Sequence, residues 1–499
     1  YHPDRTWHVH TNCPKARKPP TVVPARFLVA CENGHLDDFP WVEFVHEGPT
    51  HCGAILKLIE YGPSGEARDL EVRCETCGKR RRLSEAFGES GKRTMPACRG
   101  RRPHLRDYDD ERCERQVRAI LIGASNLWFP DVLTTLAIPA GSGRLAQLVA
   151  DHWATLKHVR GVEFVQFMRD TGQLGPFHGY ADDEIWLAIQ QQREREESGA
   201  GADPLDLKGP EWEILTHPDA SPSTDDFRLR AVDAPAGFEN VIERVVLVER
   251  LREVRALVGF TRIDAPGEFG ESPDAAAGRR MQISRQPPPW VPAAEVRGEG
   301  IFVQFREPAI QQWLRRGAVQ ARQAQFFESH RRWRETRFID APEANYPGLR
   351  YVLLHSFSHA LMRQLVLECG YTAASVRERI YSRNPEATPD DSEPMAGVLI
   401  YTAAPDSEGT LGGLVSLGEP DELWRHAVAA LQSARLCASD PLCAEHLPSQ
   451  RGITLHAAAC HACMFAPETS CERGNKYLDR SVLVDTVERD DLAFFPAEV

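Results

Sequence analysis

Cys460-His-Ala-Cys463, close to the end of a 499-residue chain, is the feature that most constrains how this sequence folds. Cys471 follows eight residues later, and Cys443 and Cys437 stand upstream. Two cysteines separated by two residues turn both sulfurs onto one ion, and two more distant thiolates then close a tetrahedron with no position left for water. Such a centre holds a fold together rather than reacting. A redox pair would leave the flanking cysteines unexplained, so a four-thiolate zinc site is the expectation. Cys443 is favoured over Cys437 as the fourth ligand. Asp440 and Pro441 release the chain from the preceding helix, on which Cys437 is expected still to lie. The expected C-terminal quartet is therefore Cys443, Cys460, Cys463 and Cys471.

A second set of cysteines lies in the first quarter of the chain. Cys74 and Cys77 form another C-x-x-C, followed by Cys98 and Cys113, with a spacing that resembles a zinc ribbon. The two quartets together imply about two structural Zn2+ ions. Between these ligands run Arg80, Arg81, Arg82, Lys92 and Arg93, read as facing outward and available to a phosphate backbone; the competing reading is a solvated charge cluster. Cys31 and His35, with His46 and Cys52, offer a further mixed Cys/His set, although His51 competes with His46. Cys13, in a Pro- and Lys-rich arm, is read as free.

The whole chain has 59 Lys plus Arg against 72 Asp plus Glu, a net charge of −13, which excludes a protein coated in nucleic acid. Residues 1–120 reverse the balance, with 21 basic against 18 acidic side chains, so any phosphate contact belongs there. The length suggests two or three domains. No long uncharged apolar run or signal peptide is present, so a soluble cytoplasmic protein with no membrane contact is expected, its cysteines reduced or bound to metal. The opening residue, Tyr1, suggests that the numbering starts inside a longer product.

These features predict a multidomain α+β protein: a zinc-ribbon-like basic module over residues 1–120, a mainly helical middle over 121–345, and an α/β domain with the four-cysteine site over 346–499. In the middle, helical periodicity marks 142–200, and Val241–Ile263 reads as a helix passing into a strand. Residues 264–298 read as a linker, Ile301–Phe305 as a strand, and Glu307–Trp333 as a long arginine-rich helix.

Catalytic signals are sparse. Gly88–Thr94 lacks the glycine spacing and the hydroxyl of a phosphate-binding loop, so it reads as a turn and the chain is not expected to hydrolyse ATP. The glycine-rich run Asp406–Gly418 also reads first as a turn. His355 and His359 lie one turn apart on an apolar helix, a separation that suits two metal ligands, but Ser356 stands where a zincin has glutamate. A packed helix with two hydrogen-bonded histidines is the leading reading. A metal-dependent hydrolase or nuclease built on His355 and His359 is the alternative.

CENGHLDDFPW from Cys31, IGASNLWFP from Ile122, LLHSFSHALMRQLVLECGY from Leu353, and SDPLC with ACHACMFAPETSCERGNKYLDR resemble the DrmB family of DISARM antiphage defence. The C-terminal part is similar to the zinc-binding domain of MrfA-type DNA-repair helicases. Ile122 departs from the arginine frequent before GASN in the family, so no phosphate contact is assigned there. The resemblance implies a non-catalytic subunit that forms a heterodimer with a separate superfamily-two helicase, DrmA-like, and acts with it on phage DNA. It also implies zinc ligation by Cys443, Cys460, Cys463 and Cys471.

Overall fold

The computed structural model describes residues 8–12, 14–22, 25–62, 66–88, 91, 95–109, 111–138, 143–197, 206–220, 223–264, 280–286, 290–337, 339, 341–385, 394–402, 413–448, 454–487 and 491–496. The chain forms two compact units, Tyr1–Val132 with Leu257–Val291, and Leu133–Ala256 with Pro292–Val499. None of the described helices is long and apolar enough to cross a membrane.

The first unit is built from short hairpins. Strand Phe27–Ala30 pairs antiparallel with Leu36–Asp38 on one side and Arg118–Leu121 on the other. A second antiparallel sheet joins Leu56–Glu60, Leu70–Cys74 and Arg80–Arg82, and Arg101–Arg102 pairs with Asp107–Tyr108. Strands of two to five residues bury little, and the core is correspondingly small: Phe27, Phe39, Phe44, Leu70, Val72 and Leu83, with Cys31, Cys74, Cys98 and Cys113 among them. A module of this size needs staples beyond apolar burial, and its clustered cysteines are placed where a metal ion could supply them.

The second unit contains the main core. Its sheet runs in the order Phe129–Leu136, Ile242–Thr261, Ala293–Phe305, Met395–Thr402 and Val376–Arg383, with Arg228–Val232 also paired to Ile242–Thr261. Met395–Thr402 is buried along its full length, as a strand covered on both faces must be. Gly397 is required there, because a Cβ would come within 2.8 Å of the rings of Phe302 and Trp212. Helix Gly348–Leu365 packs against strands Val376–Arg383 and Met395–Thr402 and against helix Pro420–Arg435. Buried residues all round it, from Leu349 to Leu365, explain its weak amphipathicity. Helices Gly143–Asp151, Val162–Asp170 and Asp182–Glu197 form a satellite cluster around Val149, Val165, Phe177, Ile185 and Ile189.

The fold class is thus mixed α+β with cysteine-rich regions toward both ends. Several local expectations need correction. Val241–Ile263 contains no helix: Ile242–Thr261 is one strand, and its valines at 245, 246 and 248 suit a pleated, buried surface. Residues 293–298 belong to strand Ala293–Phe305 rather than to a linker. The arginine-rich stretch is two helices, Glu307–Leu314 and Gly317–Glu335, parted where Arg316 is extended. Strand Ala293–Phe305, before the expected boundary at 345, pairs with Met395–Thr402 beyond it, from Gly300 opposite Tyr401 to Gln304 opposite Gly397.

Candidate metal centres

Two ligand clusters form in the first unit, each from two pairs of residues well separated in sequence. Cys31 and His35 meet Cys98 and Cys113, while His46 and Cys52 meet Cys74 and Cys77; within each cluster all four donor atoms lie within 4.8 Å of one another. Tight turns present the ligands. The Cys74 N–H donates to Lys79 O and the Gly78 N–H returns to Cys74 O, with Gly78 at φ +78°, a conformation glycine adopts without strain. The first cluster places Cys31 Sγ 3.4 Å from His35 Nδ1 and 4.0 Å from Cys113 Sγ. Asp109 holds the other imidazole nitrogen of His35, and the Gly100 N–H donates to Cys98 Sγ at 3.3 Å. In the second, His46 Nδ1 donates to Val42 O at 2.7 Å, which leaves Nε2 directed at Cys77 Sγ 3.2 Å away. A carboxylate or carbonyl on the far nitrogen is the usual device for orienting a ligating histidine.

The third cluster lies in the second unit and is all sulfur: Cys437, Cys443, Cys460 and Cys463. Its Sγ separations are 3.6 Å for 437 to 460, 3.7 Å for 443 to 463 and 3.6 Å for 460 to 463. A tetrahedron of zinc–sulfur bonds requires edges of about 3.8 Å, so the donor set fits Zn2+. Helix Pro420–Arg435 ends before Cys437, and Leu436 is already extended, which frees Cys437 to turn inward. Asp440 caps the short 3-10 helix Pro441–Glu445 by accepting from the Leu442 N–H, and this brings Cys443 to the site.

Electrostatics in the thiol clusters favour a cation. Burial pushes the Cys443 thiol up to about 11, and burial with the neighbouring Cys443 pushes Cys463 higher still. The hydrogen bond to Cys98, with burial, pushes Cys31 up to about 12. At Cys74 burial acts in the same direction, but backbone and side-chain hydrogen bonds from Cys77 bring the thiol down to about 6. One thiolate forms readily, and its neighbours resist a second negative charge. A divalent ion removes that conflict.

The eight residues expected to bind metal are thus grouped differently from their sequence order. Cys74 and Cys77 are separate from Cys98 and Cys113, and the two pairs are completed by the mixed set Cys31, His35, His46 and Cys52, which itself divides. Cys443, Cys460 and Cys463 come together, but their fourth member is Cys437 rather than Cys471. Cys471 lies instead with His355, His359 and Glu378. Glu378 escaped the sequence reading. Its only signal was an acidic residue at an inward position of strand Val376–Arg383, 3% exposed.

The basic residues also divide. Arg80 and Arg82 are exposed, but Arg81 does not face outward: it alternates to the inner face of its strand, stacks its guanidinium 4.5 Å from the Phe44 ring centre, and donates to Phe44 O and Glu85 Oε2, each at 3.0 Å. Strand pairing places Lys57 opposite Arg73, and Arg73 opposite Arg80, a row of three cations across the sheet. Lys92, Arg93 and most of the Asp406–Gly418 run, including Asp406, lie outside the described residues, as does Cys13.

Cysteine knuckles on short hairpins, and a thiolate quartet beside a helix-covered antiparallel sheet, define a zinc-binding α+β protein. Residues 357–464, which include all four members of that quartet, match the MrfA Zn-binding domain, and residues 2–129 match a domain of unknown function, DUF8724. The chain belongs to the DrmB family: it is 32% identical over 484 residues to DISARM protein DrmB of Bacillus paralicheniformis, a match that covers 95% of this chain and 82% of that relative.

Proposed function

We propose that this chain is a non-catalytic zinc-binding subunit of an antiphage defence assembly. It acts in the cytoplasm as a heterodimer with a separate superfamily-two helicase, DrmA-like, and helps that helicase hold DNA. Family membership supports the defence role. The observation that carries the DNA-binding part is the row of Lys57, Arg73 and Arg80. Like charges directly opposite one another in a sheet are destabilising, and among the described residues only Lys57 of the three has an ion pair, with Glu75. A phosphate backbone lying along that row offsets the repulsion, and Arg82 on the same face extends it. Arg81 has no part in this contact, since its guanidinium is already occupied.

Zinc is structural in this reading. Cys437, Cys443, Cys460 and Cys463 form one centre, Cys31, His35, Cys98 and Cys113 a second, and His46, Cys52, Cys74 and Cys77 a third. A nuclease built on His355 and His359 is disfavoured, because both side chains are 0% exposed and a phosphodiester backbone does not reach them. The test measures DNA affinity for the chain alone, the helicase alone and the complex, with a cleavage assay in added Mg2+, Mn2+ or Zn2+. The complex is expected to bind tighter than either part, and no cleavage is expected. Cleavage by the purified chain that disappears in His355→Ala would establish the nuclease instead.

A further inference from the structure

His355, His359, Glu378 and Cys471 do not belong to the cysteine centres, yet their four donor atoms converge within 4.8 Å. His355 and His359 come from helix Gly348–Leu365, Glu378 from strand Val376–Arg383, and Cys471 from the terminal loop. His355 Nε2 lies 3.1 Å from Cys471 Sγ and 3.0 Å from Glu378 Oε1, and His359 Nε2 lies 3.4 Å from that same oxygen. Burial is complete for both histidines.

The far sides of the ligands determine what faces the middle. His355 Nδ1 sits 3.3 Å from Tyr477 O and His359 Nδ1 2.8 Å from Met464 O. A carbonyl only accepts, so both Nδ1 atoms carry protons and both Nε2 atoms point inward. Cys471 Sγ accepts the N–H groups of Arg473 at 3.4 Å and Asn475 at 3.2 Å, an arrangement that stabilises a thiolate. Glu378 Oε1 accepts the Glu472 N–H at 3.1 Å. Four electron-pair donors therefore face one another in a site without water access.

Two occupants could reconcile them: protons on both Nε2 atoms, or a cation. Protons explain His355, which has partners in line. They explain less of His359, whose Nε2 lies 3.4 Å from Glu378 Oε1 but out of line for a hydrogen bond, and of Glu378, whose Oε2 is buried with no hydrogen-bond partner among the described residues. A cation needs no hydrogen-bond line to either atom. Charge agrees as well. One thiolate, one carboxylate and two neutral imidazoles sum to minus two, which a divalent ion cancels inside an apolar core. Mixed sulfur, nitrogen and oxygen donors suit a borderline transition metal.

We propose that His355, His359, Glu378 and Cys471 form a separate, closed metal centre for a divalent transition ion, zinc by donor set, that clamps helix Gly348–Leu365 and strand Val376–Arg383 to the C-terminal loop. All four positions around the ion are protein ligands, so the centre is structural and leaves no place for a reacting water.

Metal content of the full chain, purified without chelator and supplied with zinc, tests it by difference. Glu378→Gln and His359→Ala are each expected to hold one zinc fewer than the unaltered chain, as is Cys460→Ser with Cys463→Ser, and the losses should add when the two sets are combined. Because the comparison is relative, the result does not depend on DNA binding or on occupancy elsewhere. A folded Glu378→Gln chain with unchanged zinc content would overturn the centre. Should both variants fail to fold, anomalous diffraction at the zinc edge from crystals of the unaltered chain decides. A peak among the four side chains supports the centre, and none there would leave protonated histidines paired with Glu378.

Discussion

At the scale of single residues, neighbours in sequence have opposite roles. Arg80 and Arg81 are adjacent, but strand alternation exposes the first and buries the second over Phe44. Arg81 makes a charged hydrogen bond to a backbone carbonyl, an ion pair and a cation–π contact, with its side chain 6% exposed. Losing them in Arg81→Ala should destabilise the first unit by about 2–4 kcal/mol, whereas Arg80→Ala should change stability by less than about 0.5 kcal/mol. Limited proteolysis and denaturant unfolding measure the difference. Equal loss of stability in both variants would mean that Arg80 is also structural. The cysteines invite a similar contrast. Cys460→Ser with Cys463→Ser removes half of an all-thiolate centre and should make the C-terminal region protease-sensitive, because the two remaining thiolates, Cys437 and Cys443, without an ion cannot hold that packing. Retention of native protease resistance and of all bound metal would count against the quartet.

At the scale of elements, the buried polar contacts fix how helices dock on the sheet. Helix Lys208–Thr216 presents Glu211, 1% exposed, to four donors: Arg379 through two bonds, the Tyr381 hydroxyl at 2.9 Å, the Leu136 N–H at 2.8 Å and the Thr135 hydroxyl at 3.3 Å. Glu211→Ala strands a buried guanidinium and should cost about 3–5 kcal/mol, while the double change Glu211→Ala with Arg379→Leu should cost less, since no orphan charge remains. Trp212, next in the helix and packed on Phe302 and Tyr381, gives a fluorescence signal for the unfolding curves. A double variant less stable than the single one would mean that shape, not charge, dominates the site. Elements of this unit were legible in proportion to their local signal. Helix Gly348–Leu365 stands where the apolar run around His355 and His359 placed a helix. Strand Ile242–Thr261 was less legible, because charges interrupt its period and its pairing with other segments, Ala293–Phe305 and Arg228–Val232 among them, makes it a strand. Metal centres were legible as residue types and illegible as groups. The C-x-x-C pairs are local, but the partners of Cys74 and Cys77 come from residues 46 and 52, and those of Cys98 and Cys113 from 31 and 35. Glu378 was hidden entirely, since an acidic side chain in a strand looks solvated until the two histidines opposite it are known.

At the scale of the whole molecule, the proposed contact with DNA depends on the balance of charge. A net charge of −13 repels a polyanion, while the row of Lys57, Arg73 and Arg80 attracts one locally. The isolated chain should therefore bind DNA weakly and with strong salt dependence, and a helicase that adds phosphate contacts should raise the affinity. In the proposed assembly ATP turnover falls to the helicase; the chain alone should show none, and turnover that survives purification and disappears in Lys92→Ala would contradict this. Contacts to phosphate read no bases, so reversing Arg73 and Arg80 to Glu should weaken the complex about equally on unrelated sequences. Each phosphate contact contributes about 0.9 to the slope of log affinity against log salt, so the pair of reversals should flatten that slope by about 2. Assembly with the helicase, followed by size-exclusion chromatography, must be unchanged for the comparison to hold. A reversed chain that still assembles and keeps both the affinity and the slope of the original complex would remove DNA from this face. The row of cations would then need an acidic surface on the helicase to offset its repulsion, and the same reversals would weaken assembly at low salt.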